Sequence, residues 1–213
     1  MFMSPLPALA FGFVLGMRHA TDADHIAAMS TLAAGGPSAR RAALVGAWWG
    51  VGHSASVLLV GGALVVFRAP MPVRLALALE FLVALMLIGL GIRSMRTRRT
   101  RALVPSSRPF AIGVMHGLAG SAVLALLVLG TTTSALDAAI YLVCFCAGTV
   151  GGMAAITSLF AVPAVVSPMR ALRFERAARV LAGITSVAIG LALAHRVGVR
   201  DGLFAATPVW TPE

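Results

Sequence analysis

The amino-acid sequence predicts an all-α integral membrane protein of six transmembrane helices, arranged as a three-plus-three inverted repeat. Three observations carry that expectation: the composition, six separated apolar segments, and a likeness between the two halves. Of the 213 residues, 59% are hydrophobic and 11% charged, and the mean hydropathy is +0.94. A soluble domain is roughly 45–50% apolar and about 25% charged, so an ordinary soluble fold is excluded. Six spans of roughly 20 residues take about 120 positions and leave only loops and a tail. Residues 1–213 are therefore read as a single transmembrane domain.

The apolar segments run over about residues 5–34, 42–67, 75–92, 110–130, 138–163 and 180–195. Charge interrupts the first, and the last is short for a span. The separators are turn and charge clusters: Gly35-Gly36-Pro37, Arg68 to Pro72, the basic stretch Arg93 to Arg108, Thr131 to Asp137, and Ser167-Pro168 with four arginines after it. Residues 1–10 hold no Arg or Lys, and no small-residue cleavage pattern follows, so the first segment is read as a span and not as a removable signal peptide.

Arginine placement sets the expected orientation. The first, third and fifth loops carry twelve arginines, whereas the second loop and the tail carry four and the fourth loop none. The positive-inside bias then puts both termini outside the cytoplasm in a multi-pass protein of the cytoplasmic membrane. The same distribution accounts for the net charge of +10, which comes from 17 Arg and no Lys, without a single basic face. Nucleic acid is not an expected partner; the lipid bilayer is. Cys144 and Cys146 lie two apart in an apolar run, point to different sides of a helix, and make no redox motif.

The internal likeness emerges at an offset of 97 residues, which lays Gly16 and His19 over Gly113 and His116. Three spans separate the copies, so they cross the membrane in opposite senses, the construction found in many secondary transporters.

The stretch Arg18-His-Ala-Thr-Asp-Ala-Asp-His25 places five ionisable groups in eight positions of a segment that should be apolar. A charged group near the bilayer centre costs at least about 2.5–3.5 kcal/mol, so such a cluster persists only around a polar interior that satisfies its members. On a continuous helix His19, Asp22 and His25 form one stripe, Arg18 lies one turn from Asp22, and Asp24 points elsewhere unless the helix is broken. Imidazoles with a carboxylate suit Ni²⁺, Co²⁺ or Zn²⁺ better than a soft ion. His53, in Gly50-Val-Gly-His-Ser-Ala-Ser56, and His116, in Met115-His-Gly-Leu-Ala-Gly-Ser121, sit among small residues that permit close helix approach. The Ser54 hydroxyl is the expected partner of His53. Glu80 reads either as a partner of Arg18 or as part of the same polar set. The methionines and Trp48-Trp49 read as packing, and His195 as interfacial.

The motif Arg18-His-Ala-Thr-Asp-Ala-Asp-His25 resembles the H-x-x-x-x-D-H signature of the nickel/cobalt permease (NiCoT) family, and Gly52-His-Ser54 resembles that family's second motif. The resemblance is specific over residues 11–57 and faint beyond them. It implies that His19, Asp24 and His25 handle metal with His53 in support. The helix that precedes the signature in larger members is missing here, as are their later acidic motifs, so the chain is similar to the short six-helix members. The expected function is secondary transport of Ni²⁺ or Co²⁺ through a His/Asp site in the first span, with His19, Asp22, Asp24, His25, His53 and His116 as candidate metal residues. The ion is substrate and no prosthetic group is expected. Efflux by the same superfamily is the alternative direction. A membrane metalloenzyme is the competing class, but the chain has no His-Glu-x-x-His helix.

Overall fold

The computed structural model describes residues 5–33, 38–69, 71–96, 107–131, 134–166 and 171–210. Helices account for nearly all of them, and no strand occurs among the described residues. In chain order they are α1 (Pro5–His19), α2 (Ala23–Ala33), α3 (Ala39–Ser56), α4 (Gly62–Phe67), α5 (Val73–Arg96), α6 (Ser107–Thr131), α7 (Ala135–Val166) and α8 (Ala171–His195). A π-helical turn, Val57–Gly61, joins α3 to α4, and a second one, Arg196–Arg200, extends α8.

Local chemistry fixes several ends. Ser38 is extended and its hydroxyl accepts from the Arg41 N–H, capping α3. α4 closes at Arg68, which turns left-handed at φ 49° so that its N–H meets the Leu64 and Val65 carbonyls. Pro72 then opens α5, its carbonyl accepting from Leu75 and Ala76. The 24 residues of α5 extend about 36 Å at 1.5 Å each, more than the roughly 30 Å of bilayer hydrocarbon.

Among the described residues, four helices are long and apolar enough to cross a membrane: Ala39–Phe67, Val73–Arg96, Leu136–Ala161 and Arg176–Arg200. They correspond to the second, third, fifth and sixth apolar segments. α6 runs unbroken through the fourth. The first segment differs from the expectation of one continuous span, because it divides into α1 and α2 around Ala20–Asp22. The sixth extends farther in both directions than its apolar run, since α8 carries Arg176 and Arg179 within its helix. The Gly35–Pro37 and Ser167-Pro168 breaks, and Arg98, Arg99, Arg101 and Arg170 of the orientation count, lie outside the described residues.

α3 packs along α7 and α6, α7 also receives α1, and α5 pairs with α8; the short α2 lies against α8, α7 and α5. Lipid supplies no hydrophobic force between helices, so contact depends on small residues and hydroxyls. A Cβ at Gly16 would run into the Phe145 carbonyl of α7, and one at Gly113 into the Trp49 carbonyl of α3. Gly148 meets Phe13, and Gly52 meets Phe110, in the same way. Between helices, Ser186 donates to the Leu87 carbonyl at 2.8 Å and Ser94 to the Arg179 carbonyl at 3.1 Å. A core of Ala20, Ala27, Ala28, Met29, Trp49, Val83, Leu87, Ala119 and Met153 lies where α2, α3, α5, α6 and α7 meet. Large apolar side chains such as Leu59, Val66, Phe67 and Leu159 face outward, as the bilayer requires of a multi-pass protein.

Replacing Gly16 or Gly113 by Ala is expected to lower the thermal midpoint of the detergent-purified protein, with an overpacking cost of roughly 1–3 kcal/mol. Gly151→Ala serves as the contrast, because a Cβ there meets nothing within 4 Å. Helix propensity favours Ala over Gly by about 1 kcal/mol, so its midpoint holds or rises. Thermal scans of the three variants check the ordering.

Candidate metal centre

The site begins where α1 stops. After His19 the chain turns through Ala20, Thr21 and Asp22: the Thr21 N–H and hydroxyl both donate to the Arg18 carbonyl, and the Asp22 N–H donates to that of His19 at 3.1 Å. The Asp22 carbonyl then accepts from Ile26 at 2.9 Å and starts α2. Thr and Asp side chains compete with helical backbone bonds and favour helix starts, which is why the segment divides here. Asp24 falls in the first turn of α2, where the exposed N–H groups favour a carboxylate.

The break redirects the side chains. Asp22 binds His19 Nδ1 at 2.8 Å and remains half exposed. Arg18, one turn from Asp22 on a continuous helix, does not pair with it; Asp22 pairs with His19 instead. Asp24, which a continuous helix would turn away, accepts from the His25 backbone N–H at 2.8 Å and binds His25 Nδ1 at 3.0 Å through the same oxygen. Its other oxygen binds His116 Nε2 of α6 at 2.9 Å.

Four imidazoles gather around this carboxylate. The His25 ring centroid lies 4.4 Å from that of His19, 5.2 Å from His53 and 4.2 Å from His116. His19 and His53 are 5.2 Å apart, and His53 and His116 6.0 Å. His25, His53 and His116 are buried, whereas the His19 side chain is 21% exposed. Among the described residues, two three-residue sets have one donor atom from each member within 4.8 Å of one another: His19, His25 and His53, and Asp24, His25 and His116. Metal–nitrogen bonds of about 2.0–2.1 Å would require either set to draw inward. His19 Nε2, His25 Nε2, His116 Nδ1 and both nitrogens of His53 are buried without a hydrogen-bond partner among the described residues. Unpaired buried polar atoms are costly and call for an explanation such as a ligand.

Of the six residues singled out from sequence, five therefore share one cluster, and Asp22 stands at its exposed edge. Ser54 is not the partner of His53; its hydroxyl donates to the Cys146 carbonyl at 3.4 Å. Glu80 lies elsewhere, accepting from Trp210 Nε1 at 2.7 Å and from Arg196 at 3.1 Å beside the tail. Met17 and Met115 face outward, whereas Met29 and Met153 pack in the core. Trp49, read from the sequence as packing, does pack in the core and also borders the cluster. It is fully buried, one helical turn before His53, and its indole walls the site at 5.5 Å from the His25 ring and 5.6 Å from that of His116. The spacing of four residues between Trp49 and His53 was the available signal.

The unpaired imidazoles at the broken helix of this multi-pass helical protein are the donor set that a transition-metal ion would take. Comparison with known proteins narrows this. Residues 6–71, which span α1 to α4 and so His19, Asp24, His25 and His53, match the family NicO, described as high-affinity nickel-transport protein. The chain is 32% identical over 218 residues to the urease accessory protein UreH of Bacillus sp. (strain TB-90), an alignment that covers 93% of this chain and 95% of that relative. The protein belongs to this nickel-transport family. No solved structure matches it.

Glu80→Gln is expected to leave nickel affinity within about twofold of wild type, since the group lies outside the cluster, while costing roughly 1 kcal/mol of stability by removing one of the two carboxylates beside Arg196, Asp201 at 3.9 Å being the other. Nickel titration and a thermal scan on the same purified sample separate the two effects.

Proposed function

We propose that the protein is a secondary transporter that carries Ni²⁺ into the cytoplasm through the His19, Asp24, His25, His53 and His116 cluster. The observation that carries the reading is the convergence of unpaired, buried imidazole nitrogens in a member of a nickel-transport family. Imidazole suits borderline ions such as Ni²⁺ and Co²⁺ and gives no advantage to Mg²⁺ or Ca²⁺, so cobalt is the competing cargo. Inward movement fits a family described as high-affinity, because affinity serves an ion that is scarce outside.

The architecture proposed for this transport is six spans in the cytoplasmic membrane, both termini outside, with the α1–α2 pair serving as one broken span. Three plus three helices related by an inverted repeat are supported by reciprocal packing. When α1–α2, α3 and α5 are matched in order with α6, α7 and α8, the contact of α1 with α7 corresponds to that of α6 with α3, and α2 with α8 corresponds to α6 with α5. The glycine contacts correspond too: Gly16 on Phe145 with Gly113 on Trp49, and Gly148 on Phe13 with Gly52 on Phe110. Those partners lie 97 residues apart in the α1/α6 match and 96 in the α3/α7 match. Discontinuous helices at such a repeat are where secondary transporters place their ion sites.

Cells expressing the protein in limiting nickel should accumulate more of the ion than cells without it, and His25→Ala should return accumulation to background at matched membrane abundance. Wild-type accumulation in that variant would remove the cluster from the transport path, and nickel depletion on expression would reverse the direction. Reporter fusions at the C-terminus and near Arg98 are expected to read outside and cytoplasmic, respectively; a cytoplasmic C-terminus would overturn the topology.

A further inference from the structure

The chain beyond α8 takes no part in the metal cluster, yet it is fastened at several points to a different helix. After the π-helical turn Arg196–Arg200, Gly202 at φ 67° turns the chain back. The Leu203 N–H donates to the Val197 carbonyl at 3.1 Å, and the Val209 N–H closes the loop on the Asp201 carbonyl at 2.9 Å. The long-range ties of this loop land on one stretch of α5. The Arg74 guanidinium donates to the Ala205 and Ala206 carbonyls at 3.1 and 3.0 Å, and the Phe204 and Phe81 rings meet edge-on with centroids 5.5 Å apart. The Trp210 indole N–H donates to one Glu80 oxygen at 2.7 Å, and Arg196 donates to the other at 3.1 Å.

The position of these ties decides what they can do. Leu79 of α5 and Ile189 and Leu193 of α8 pack on the apolar core that contains Val83, Leu87, Met29 and Trp49, and Trp49 borders the His25 and His116 rings. Glu80 stands one helical turn before Val83, and Arg196 one turn after Leu193. From this end of the bundle inward, the order is tail, charged pair, apolar layer, cluster. At their other end the same two helices touch through backbone: a Cβ on Gly91 or Gly183 would strike the other's carbonyl, and Ser94 donates to the Arg179 carbonyl at 3.1 Å. A glycine contact of that kind is a fulcrum with no long side chain to release, whereas the tail end is held by side chains that can swing away.

We propose that the C-terminal tail and the Glu80–Arg196 pair form a gate: α5 and α8 pivot about the Gly91–Gly183 contact, and the cluster is reached from the tail side only when Trp210 and Arg196 let go of Glu80. The proposal rests on the transport reading above and adds its moving part. α5 and α8 close the two halves of the repeat proposed there, so the Glu80–Arg196 pair is a bond between halves, and on the proposed topology the gate is the outer one. Asp201, 3.9 Å from Arg196 Nε, is placed to hold the guanidinium once Glu80 is released. A buried cation stripped of its partner would be strongly unfavourable, and the second carboxylate removes that obstacle to opening.

The test locks the gate. In a background with Cys144→Ala and Cys146→Ala, Phe81→Cys and Phe204→Cys are bridged by a bifunctional thiol reagent that a reductant cleaves, and nickel uptake is measured before and after cleavage. Uptake should fall to background in the bridged protein and return on cleavage, which separates locking from damage. Should that pair fold poorly, Arg74→Cys with Ala206→Cys bridges the same loop to α5. Bridged protein that takes up nickel as the cleaved protein does would overturn the gate. Trp210→Phe gives an independent reading, because it keeps a ring and loses the N–H. A Val83→Cys probe behind the gate, in the same cysteine-free background, should react with a polar maleimide at least about tenfold faster when Trp210→Phe is added, the population change that loss of one hydrogen bond to a carboxylate permits. Equal labelling rates would overturn the gate as well. The transport reading fails separately: wild-type protein that moves no nickel would reject it, and the labelling rates would still judge the gate.

Discussion

The polar interior of this protein depends on the interruption of its first apolar segment. A continuous helix through residues 18–25 would keep His19, Asp22 and His25 on one stripe but turn Asp24 away from it, toward lipid or apolar neighbours. Ending α1 at His19 and restarting at Ala23 lets both aspartates turn back onto imidazoles of their own segment. The break also frees backbone groups, which must be satisfied locally at membrane depth. Bonds to the Arg18, His19 and Asp22 carbonyls do this, with the Thr21 hydroxyl adding one more.

That local solution produces a cluster only because the other helices come close. Glycine at 16, 52, 113 and 148 brings backbones nearly into contact, each at a place where a Cβ would strike a carbonyl. The same approach that packs α6 on α3 delivers His116 and His53 to the α1–α2 break. Trp49 then fills the space behind them, so the rings are held between an indole and the apolar core of Met29, Val83, Leu87 and Met153. Packing and ligand geometry share one cause here, and a change at a distant glycine acts on both.

Much of this was legible in the sequence, for reasons particular to each element. α3, α5 and α7 announce themselves by length and hydropathy, because a bilayer imposes both. The start of α8 was read too late because hydropathy ends where Arg176 and Arg179 appear, whereas the helical backbone continues through them. Convergence of His19 and His25 was read from a regular stripe and is realised by another route, the helix break. Thr21-Asp22 followed by Asp24 is a helix-start signal, and apolar periodicity on either side masked it. The partners of Ser54 and Glu80 were not legible, because each depends on long-range contacts that no local spacing encodes: Cys146 on α7 in one case, Arg196 and Trp210 in the other.

The two halves differ in chemistry far more than in packing. Opposite His19, the second half has His116, but where the first half continues Ala20-Thr-Asp-Ala-Asp24 the second continues Gly117-Leu-Ala-Gly-Ser121, and α6 runs on unbroken. At the α7 position matching His53 stands Thr149, fully buried, whose hydroxyl donates to the Phe145 carbonyl of its own helix. On the inverted-repeat reading, the second half supplies the scaffold and one imidazole, while the first supplies the break, both aspartates and the remaining rings. On the proposed reading, such a division gives, among the described residues, one ion seat and not two related by symmetry. A lone seat near a pseudo-two-fold axis can be exposed to either side by rocking one half against the other, without the ion having to leave one site for its mirror.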